Sequence, residues 1–135
     1  MKTITNQLTL VKADYDLLVK YVYSRMSPLS AERKSAEQLY EELKNADVHA
    51  TEEDFPSDVV RINSVVEVQE QTTGRSLKYR LVSPGEANLR KERLSVYTPL
   101  GIALIGYKKG QKIKWEMPSG EKVFYIKDVV NDGQV

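Results

Sequence analysis

The fold of this chain depends on the stretch from Leu94 to Gly106, LSVYTPLGIALIG. It begins as a strand, turns at Thr98-Pro99 and continues as an apolar helix over residues 99–106. The apolar residues of this helix cannot all lie on one face, so the helix must be covered on nearly every side. We expect a sheet to wrap around it, and any part that the sheet leaves open is the best candidate for a contact surface.

The sequence on both sides of this helix alternates between apolar and polar residues, which is typical of half-buried strands. The order of three strands, one short helix and two strands predicts an α+β fold, in which an antiparallel sheet wraps around the short helix. The predicted strands cover residues 62–69, 76–82, 93–97, 111–117 and 122–130.

Two helical segments precede the strands. In 13–26 and again in 31–46, apolar residues recur at intervals of three and four. Pro28 ends the first segment, and Ser30 is a suitable N-cap for the second. Two matching apolar seams joined by a short loop predict an antiparallel helical hairpin, a short coiled coil. Its arms would reach roughly 20–25 Å, at about 1.5 Å per residue.

Composition limits the class of protein. The chain has 135 residues, no cysteine and one histidine, which excludes disulfides, thiolate chemistry and His-rich metal sites. No apolar run approaches the roughly 20 residues of a membrane span, so we expect a cytoplasmic protein. No catalytic residue, metal or cofactor is predicted. The predicted parts are a helical hairpin over 1–50, a linker over 51–58 and a sheet domain over 59–135.

Charge is distributed unevenly, although the net charge is only +1. Residues 1–54 carry 7 Lys and Arg against 10 Asp and Glu, whereas residues 55–135 carry 13 against 9. This is either a chance difference between two solvated surfaces or an acidic arm on a basic body that faces a charged partner. Five lysines near one end of the sheet form either a solvated face or a strip for phosphate or an acidic partner: Lys108, Lys109, Lys112, Lys114 and Lys122.

Four segments resemble, in order and spacing, the C-terminal domain of the GreA/GreB transcription elongation factors. The WEMPSG stretch is especially similar to the short Rnk-type branch of that family, the regulators of nucleoside diphosphate kinase. The resemblance implies an FKBP-like fold for the sheet domain. The segments are RINSVVEV (61–68), KYRLVSPGEAN (78–88), LSVYTPLGIALIG (94–106) and GQKIKWEMPSGEKVFYIKDV (110–129).

The same resemblance implies a function. Family members bind RNA polymerase, and the family is also classed as DNA-binding. The sheet domain grips the rim of the secondary channel on the largest subunit, while the hairpin enters the channel. Tyr97 stands where the cleavage factors have an acidic residue, so that ion pair is lost here. The positions that the resemblance implies for polymerase binding are Tyr97, Thr98 and Pro99. We expect Leu100 to form an apolar anchor with Pro99, and Glu86 and Asn88 to add polar contacts around it.

The predicted hairpin tip departs from that of the cleavage factors, which carry acidic residues that help to hold a catalytic Mg²⁺. The tip residues here are Ser27, Pro28, Leu29 and Glu32. Glu32 is the only carboxylate among them, and two cations follow it. The arms are also much shorter. We therefore expect a non-enzymatic regulator of transcription that does not stimulate transcript cleavage.

Two other functions remain open at this point. An FKBP-like fold is compatible with a peptidyl-prolyl isomerase or a peptide-binding module, although the usual active-site aromatic residues are not recognisable. A peptide isomerisation assay separates this class from a polymerase-binding regulator. A direct effect on a kinase is suggested by the name of the similar branch, but no residue supports it.

Overall fold

The computed structural model describes residues 7–31, 33–51, 53, 55–117 and 120–131, with the side chains of residues 35 and 115–117 left out of the description. Within these residues the protein is an α+β structure with two sheets and three α-helices. The elements are β1 (Thr9–Val11), α1 (Lys12–Arg25), α2 (Arg33–Leu43), β2 (Asp47–His49), β3 (Val65–Glu70), β4 (Ser76–Val82), β5 (Arg93–Ser95), α3 (Pro99–Leu104), β6 (Lys112–Met117) and β7 (Gly120–Val130).

The larger sheet has five strands in the order β5-β4-β3-β7-β6, with β3 at its centre. All neighbours are antiparallel except β4 and β5, which are parallel, with Arg80 beside Arg93. The prediction of an antiparallel sheet is therefore wrong at this edge. Residues 83–92 contain two single-turn 3₁₀ helices, and they carry the chain back along the sheet so that β5 starts beside β4 in the same direction.

The apolar helix α3 is covered on nearly every side, as its composition predicts. Every residue from Gly101 to Tyr107 is buried. The sheet supplies part of the cover, with β6 packed against α3. The N-terminal strand supplies another part, since the side chains of Leu8 and Leu10 lie directly against Gly106.

The helices α1 and α2 pack along each other. Arg33, at the start of α2, donates a hydrogen bond to the carbonyl of Met26, just after α1. At the other end of the pair, β1 and β2 form a parallel two-stranded sheet in which Thr9 lies beside Asp47. The buried residues between the helices belong to the same hydrophobic cluster as the core of the larger sheet: Leu18, Tyr21, Val22, Ala36, Leu39 and Leu43. No helix in the described ranges is long and apolar enough to cross a membrane.

Candidate functional site

The chain turns sharply between β5 and α3, and we call residues Tyr97–Leu100 the corner. Thr98 is the N-cap of α3, and its hydroxyl oxygen accepts a hydrogen bond from the Gly101 amide at 3.0 Å. The same hydroxyl donates to the Ser95 carbonyl at 2.8 Å. Pro99 occupies the first helical position, where its missing amide hydrogen costs nothing and its fixed φ suits the helix. The turn is therefore preorganised by its own sequence.

Gly101 allows α3 to lie directly on the end of β5. A Cβ atom at this position would stand 2.4 Å from the carbonyl oxygen of Ser95 and 2.8 Å from the Cα of Val96. Both are backbone atoms and cannot rotate away. Only glycine permits this approach, which fixes the direction of the helix relative to the strand.

Tyr97 connects the corner to α1. Its hydroxyl donates a hydrogen bond to the carbonyl of Leu17 at 3.0 Å, and its ring centroid lies 5.0 Å from that of Tyr21. The side chain is half-buried, and this burial raises the pKa of Tyr97, an effect that the nearby Arg25 cation partly offsets. The Tyr97 hydroxyl thus donates its hydrogen bond within the chain.

Arg25, at the end of α1, lies beside the corner and is not among the predicted site residues. Its guanidinium carbon lies 4.7 Å from the ring centroid of Tyr21 and 5.4 Å from that of Tyr97. Both distances fall within the range of cation–π attraction. The sequence signal for this position is that Arg25 follows Val22 by three residues, on the otherwise apolar face of the first predicted helix.

The remaining corner residues are partly open to solvent. Thr98, Pro99 and Leu100 are all half-buried, and Leu100 also packs against the core. Beyond them every side chain from Ile102 to Tyr107 is buried. Within the stretch 94–106, the partly exposed residues are therefore Ser95 and the corner itself.

Glu86 and Asn88 are exposed and lie in the loop before β5. Asn88 exchanges two backbone hydrogen bonds with Arg93, at the start of β5, whereas the corner follows the end of that strand. Three residues of strand separate them, a distance of roughly 10 Å. The structure thus brings Tyr97–Leu100 together and places Asn88 at the opposite end of β5.

Exposed residues form the connection between α1 and α2. Ser27, Pro28 and Leu29 are exposed, with 95% of the Leu29 surface accessible. The turn is held by Ser27, whose hydroxyl accepts from the Leu29 amide and whose carbonyl accepts from the Ser30 amide. Glu32, the carboxylate predicted at this tip, lies outside the described residues.

The pair α1–α2 is attached to the larger sheet by buried polar contacts as well as by the shared core. Asp14 is buried, and its Oδ2 accepts a hydrogen bond from the backbone amide of Ile62 at 3.0 Å. The buried hydroxyl of Tyr107 donates to Oε1 of Glu42 at 2.9 Å. Directional bonds at both contacts fix the orientation of the helices relative to the sheet.

The Tyr107–Glu42 contact predicts a pH dependence of stability. Burial, followed by the charge and the hydrogen bond of Glu42, raises the pKa of Tyr107 well above its ordinary value. Above about pH 10 the unfolded chain loses this proton while the folded chain keeps it, so the free energy of unfolding falls by about 1.4 kcal/mol per pH unit. Below that pH both states keep the proton, and the contact contributes its full amount to the free energy of unfolding.

We expect Tyr107→Phe to remove this dependence. Near neutral pH the variant should be about 2 kcal/mol less stable, because a buried carboxylate loses its donor. The difference from the wild type should shrink as the pH rises above about 10. Urea denaturation of both proteins across this pH range measures the difference in the free energy of unfolding. Because both proteins share the other tyrosines, the contribution of those tyrosines cancels in this difference. A difference that stays constant to high pH would show that the Tyr107 proton is not retained by folding.

The lysines near β6 and β7 are largely paired with carboxylates. Nζ of Lys122 lies 3.0 Å from Glu70, which holds the pKa of that carboxyl below its ordinary value. Three further pairs join Lys109 to Asp128, Lys114 to Glu121 and Lys127 to Glu67. This arrangement favours the interpretation of that region as a solvated face.

The described residues contain no group of three or more His, Asp or Glu side chains placed to hold a metal ion. The corner presents a proline and a leucine, both half-buried, on a rigid turn, and the hydroxyls of Tyr97 and Thr98 beside them bond within the chain. Rigid apolar contacts surrounded by polar groups are characteristic of protein interfaces.

The comparisons with known proteins all indicate the same family. A family model described as "Transcription elongation factor, GreA/GreB, C-term" matches residues 55–131. The transcription elongation factor GreA of Thermotoga maritima is 35% identical over 89 residues, which cover 66% of this chain and 56% of the relative. The regulator of nucleoside diphosphate kinase of Escherichia coli is 38% identical over 85 residues, 63% of this chain and 62% of the relative. The chain spans about half the length of the GreA relatives it matches.

A solved structure shares most of the fold. The transcription elongation factor GreA/GreB from Nitrosomonas europaea superposes with a TM-score of 0.68 at 25% identity, covering 93% of this chain and 98% of the other. The likeness therefore includes the helices as well as the sheet. The prolyl isomerase alternative receives no support from these matches.

Proposed function

The chain belongs to the GreA/GreB family of transcription elongation factors, and we propose on this premise that it binds bacterial RNA polymerase at the rim of the secondary channel, on the largest subunit. It acts in the cytoplasm as a regulator and not as an enzyme. Factors of this family act with RNA polymerase, and the sheet domain is the part of the chain that the family model covers.

The observation that carries this proposal is the corner. Pro99 and Leu100 are half-buried on a turn that Thr98 locks from two sides, at 3.0 Å and 2.8 Å. A contact that is already rigid loses little conformational entropy on binding, so its apolar area contributes more of its free energy to affinity. Thr98 and Pro99 are positions that the resemblance implies for polymerase binding. Glu86, Asn88 and Tyr97 are the surrounding contacts in this proposal.

The helix pair acts in the proposal as a short antiparallel hairpin that partly occupies the channel. With 14 residues, α1 is roughly 21 Å long at about 1.5 Å per residue. The connecting turn presents Ser27, Pro28 and the exposed Leu29, none of which is a metal ligand of the kind Mg²⁺ prefers. The predicted tip adds one carboxylate, Glu32, with two cations after it, which is a poor ligand set for a catalytic metal ion. With helices of this length, the proposed regulator does not stimulate transcript cleavage.

A cleavage assay on a backtracked elongation complex tests this function. Added at saturation, the chain should leave the rate of transcript cleavage within about twofold of the intrinsic rate, because the predicted tip has a single carboxylate, Glu32, followed by two cations. It should also slow the cleavage that a GreA protein stimulates, because both proteins compete for one channel.

The two parts of this assay have separate meanings. Strong stimulation by the chain itself would contradict the argument from the hairpin tip. Failure to inhibit the GreA protein at any concentration would contradict binding at the secondary channel. A peptide isomerisation assay on the same preparation checks the remaining enzymatic class.

A further inference from the structure

A row of cations lies along one edge of the larger sheet, on the face opposite the core. Arg80 in β4 is the register partner of Arg93 in β5, and the next pair, Leu81 and Leu94, is buried in the core. Because side chains alternate along a strand, the two arginines point away from the core, side by side. Their strands lie about 4.8 Å apart. Lys78, two residues before Arg80, is exposed on the same face.

The 3₁₀ turn before β5 extends this row with two exposed cations. We call the whole group the cationic edge: Lys78, Arg80, Arg90, Lys91 and Arg93. Throughout the part of the chain that the structure describes, none of these five residues forms an ion pair. Three carboxylates lie nearby: Glu86 and Glu92 in the adjoining loop, and Glu67 of β3, the register partner of Lys78. Five cations against three carboxylates leave positive charge in excess.

The placement of the two arginines is unfavourable for folding alone. Like charges directly opposite each other on neighbouring strands destabilise a sheet. Lys114 on β6, the other edge of the sheet, avoids this cost through its carboxylate partner Glu121 on β7. The arginines have no such partner among the described residues. A bound anion would remove the repulsion.

Arg80 is held in place by two unusual turns. Asn63 and Glu92 have φ angles of 79° and 59°, and they are the two described residues other than glycine with positive φ. The carbonyl of Asn63 accepts a hydrogen bond from Nη1 of Arg80 at 2.7 Å. The carbonyl of Glu92 accepts one from the Arg80 backbone amide at 2.8 Å. The first bond orients the guanidinium of Arg80, and the second belongs to the backbone pairing of β4 with β5.

We propose that the cationic edge binds the phosphate backbone of a nucleic acid strand. Arginine presents a planar fork of donors that matches phosphate oxygens, and two adjacent forks can contact one phosphate or two neighbouring ones. The surface lacks the apolar centre typical of protein interfaces, since Leu89 is the one large exposed apolar side chain in its loop. This favours the phosphate backbone of a nucleic acid over an acidic protein as the binding partner.

The contact is independent of base sequence. Stacking on aromatic rings is the usual means by which proteins hold single-stranded bases. The exposed aromatic side chains among the described residues, Tyr23 and Tyr40, lie on α1 and α2 and not at this edge. Binding should therefore depend on charge and salt, not on base identity.

Fluorescence anisotropy with a labelled oligothymidylate of about 20 nucleotides tests the proposal, without polymerase. The test variant is Arg90→Gln/Lys91→Gln/Arg93→Gln, which leaves the anchored Arg80 in place. The matched control is Lys109→Gln/Lys112→Gln/Lys114→Gln, which removes three exposed lysines on and next to β6, at the other edge of the sheet. Both variants lose the same net charge.

We expect the test variant to bind at least about tenfold more weakly at low salt and the control to change less than about threefold. The slope of log affinity against log salt should fall by about 2 in the test variant, at about 0.7 per lost phosphate contact. An oligocytidylate should bind equally well.

Three results would overturn the proposal. They are no binding by the wild type at low salt, equal losses in the two variants, and displacement of the oligonucleotide by polyglutamate at the same charge concentration. The last result would indicate an acidic protein as the partner. Because polymerase is absent from the assay, none of these results depends on the proposed function.

Discussion

Gly101→Ala is expected to lower the free energy of unfolding by about 3 kcal/mol, because the added methyl group overlaps atoms that cannot move without the backbone. Its Cβ would stand 2.4 Å from the Ser95 carbonyl oxygen and 2.8 Å from the Val96 Cα. Relief requires α3 to separate from the end of β5, which opens the core at Ile102. Urea or thermal denaturation monitored by circular dichroism measures the loss.

Gly85→Ala is the matched control for this substitution. Gly85 lies in an exposed turn, has no positive φ, and no neighbouring atom would lie within 4 Å of the new Cβ. Its stability should change by less than about 0.5 kcal/mol. If Gly101→Ala were as stable as this control, the close approach of α3 to β5 would not exist in the folded protein.

Pro99→Ala/Leu100→Asp is expected to weaken binding to core RNA polymerase by at least roughly 30-fold, which corresponds to the loss of about 2 kcal/mol at an interface hot spot. The substitution removes the rigid apolar contact of the corner and adds a charge that the complex would have to desolvate. Biolayer interferometry with immobilised core polymerase measures the effect.

Two further variants make this result interpretable. Leu100 also packs against the core, so Pro99→Ala/Leu100→Ala provides a version without a buried charge, and thermal unfolding shows whether each variant is folded. Val130→Asp introduces the same charge at an exposed position on β7 and should bind as the wild type does. Full binding by a folded corner variant would contradict the assignment of this surface.

Much of the larger sheet follows from sequence periodicity. The alternation in SLKYRLV predicts a strand over 76–82, and β4 has these bounds. The run at 111–117 likewise corresponds to β6. Such strands have one face in the core and one in solvent, so the pattern carries both their position and their orientation.

The strand arrangement at the edges could not be predicted in the same way. The parallel pairing of β4 with β5 depends on how residues 83–92 fold back, and local periodicity does not encode that path. The two strands β1 and β2 have three residues each, too few for an alternation to be recognised. Their pairing arises from tertiary contacts that close the helix pair.

The local structure of the candidate site was predictable, whereas its long-range contacts were not. The sequence Thr98-Pro99 indicates a cap followed by a first helical proline, and both positions are confirmed. The bond from the Tyr97 hydroxyl to the Leu17 carbonyl joins residues 80 positions apart. Nothing in the corner sequence distinguishes a tyrosine that faces a partner from one that faces α1.

An electron cryo-microscopy map of the chain bound to core RNA polymerase tests the central claim most directly. We expect Pro99 and Leu100 to contact the largest subunit at the rim of the secondary channel, with the turn at Leu29 directed into the channel. A complex in which the chain binds elsewhere, or in which the corner faces solvent, would contradict it.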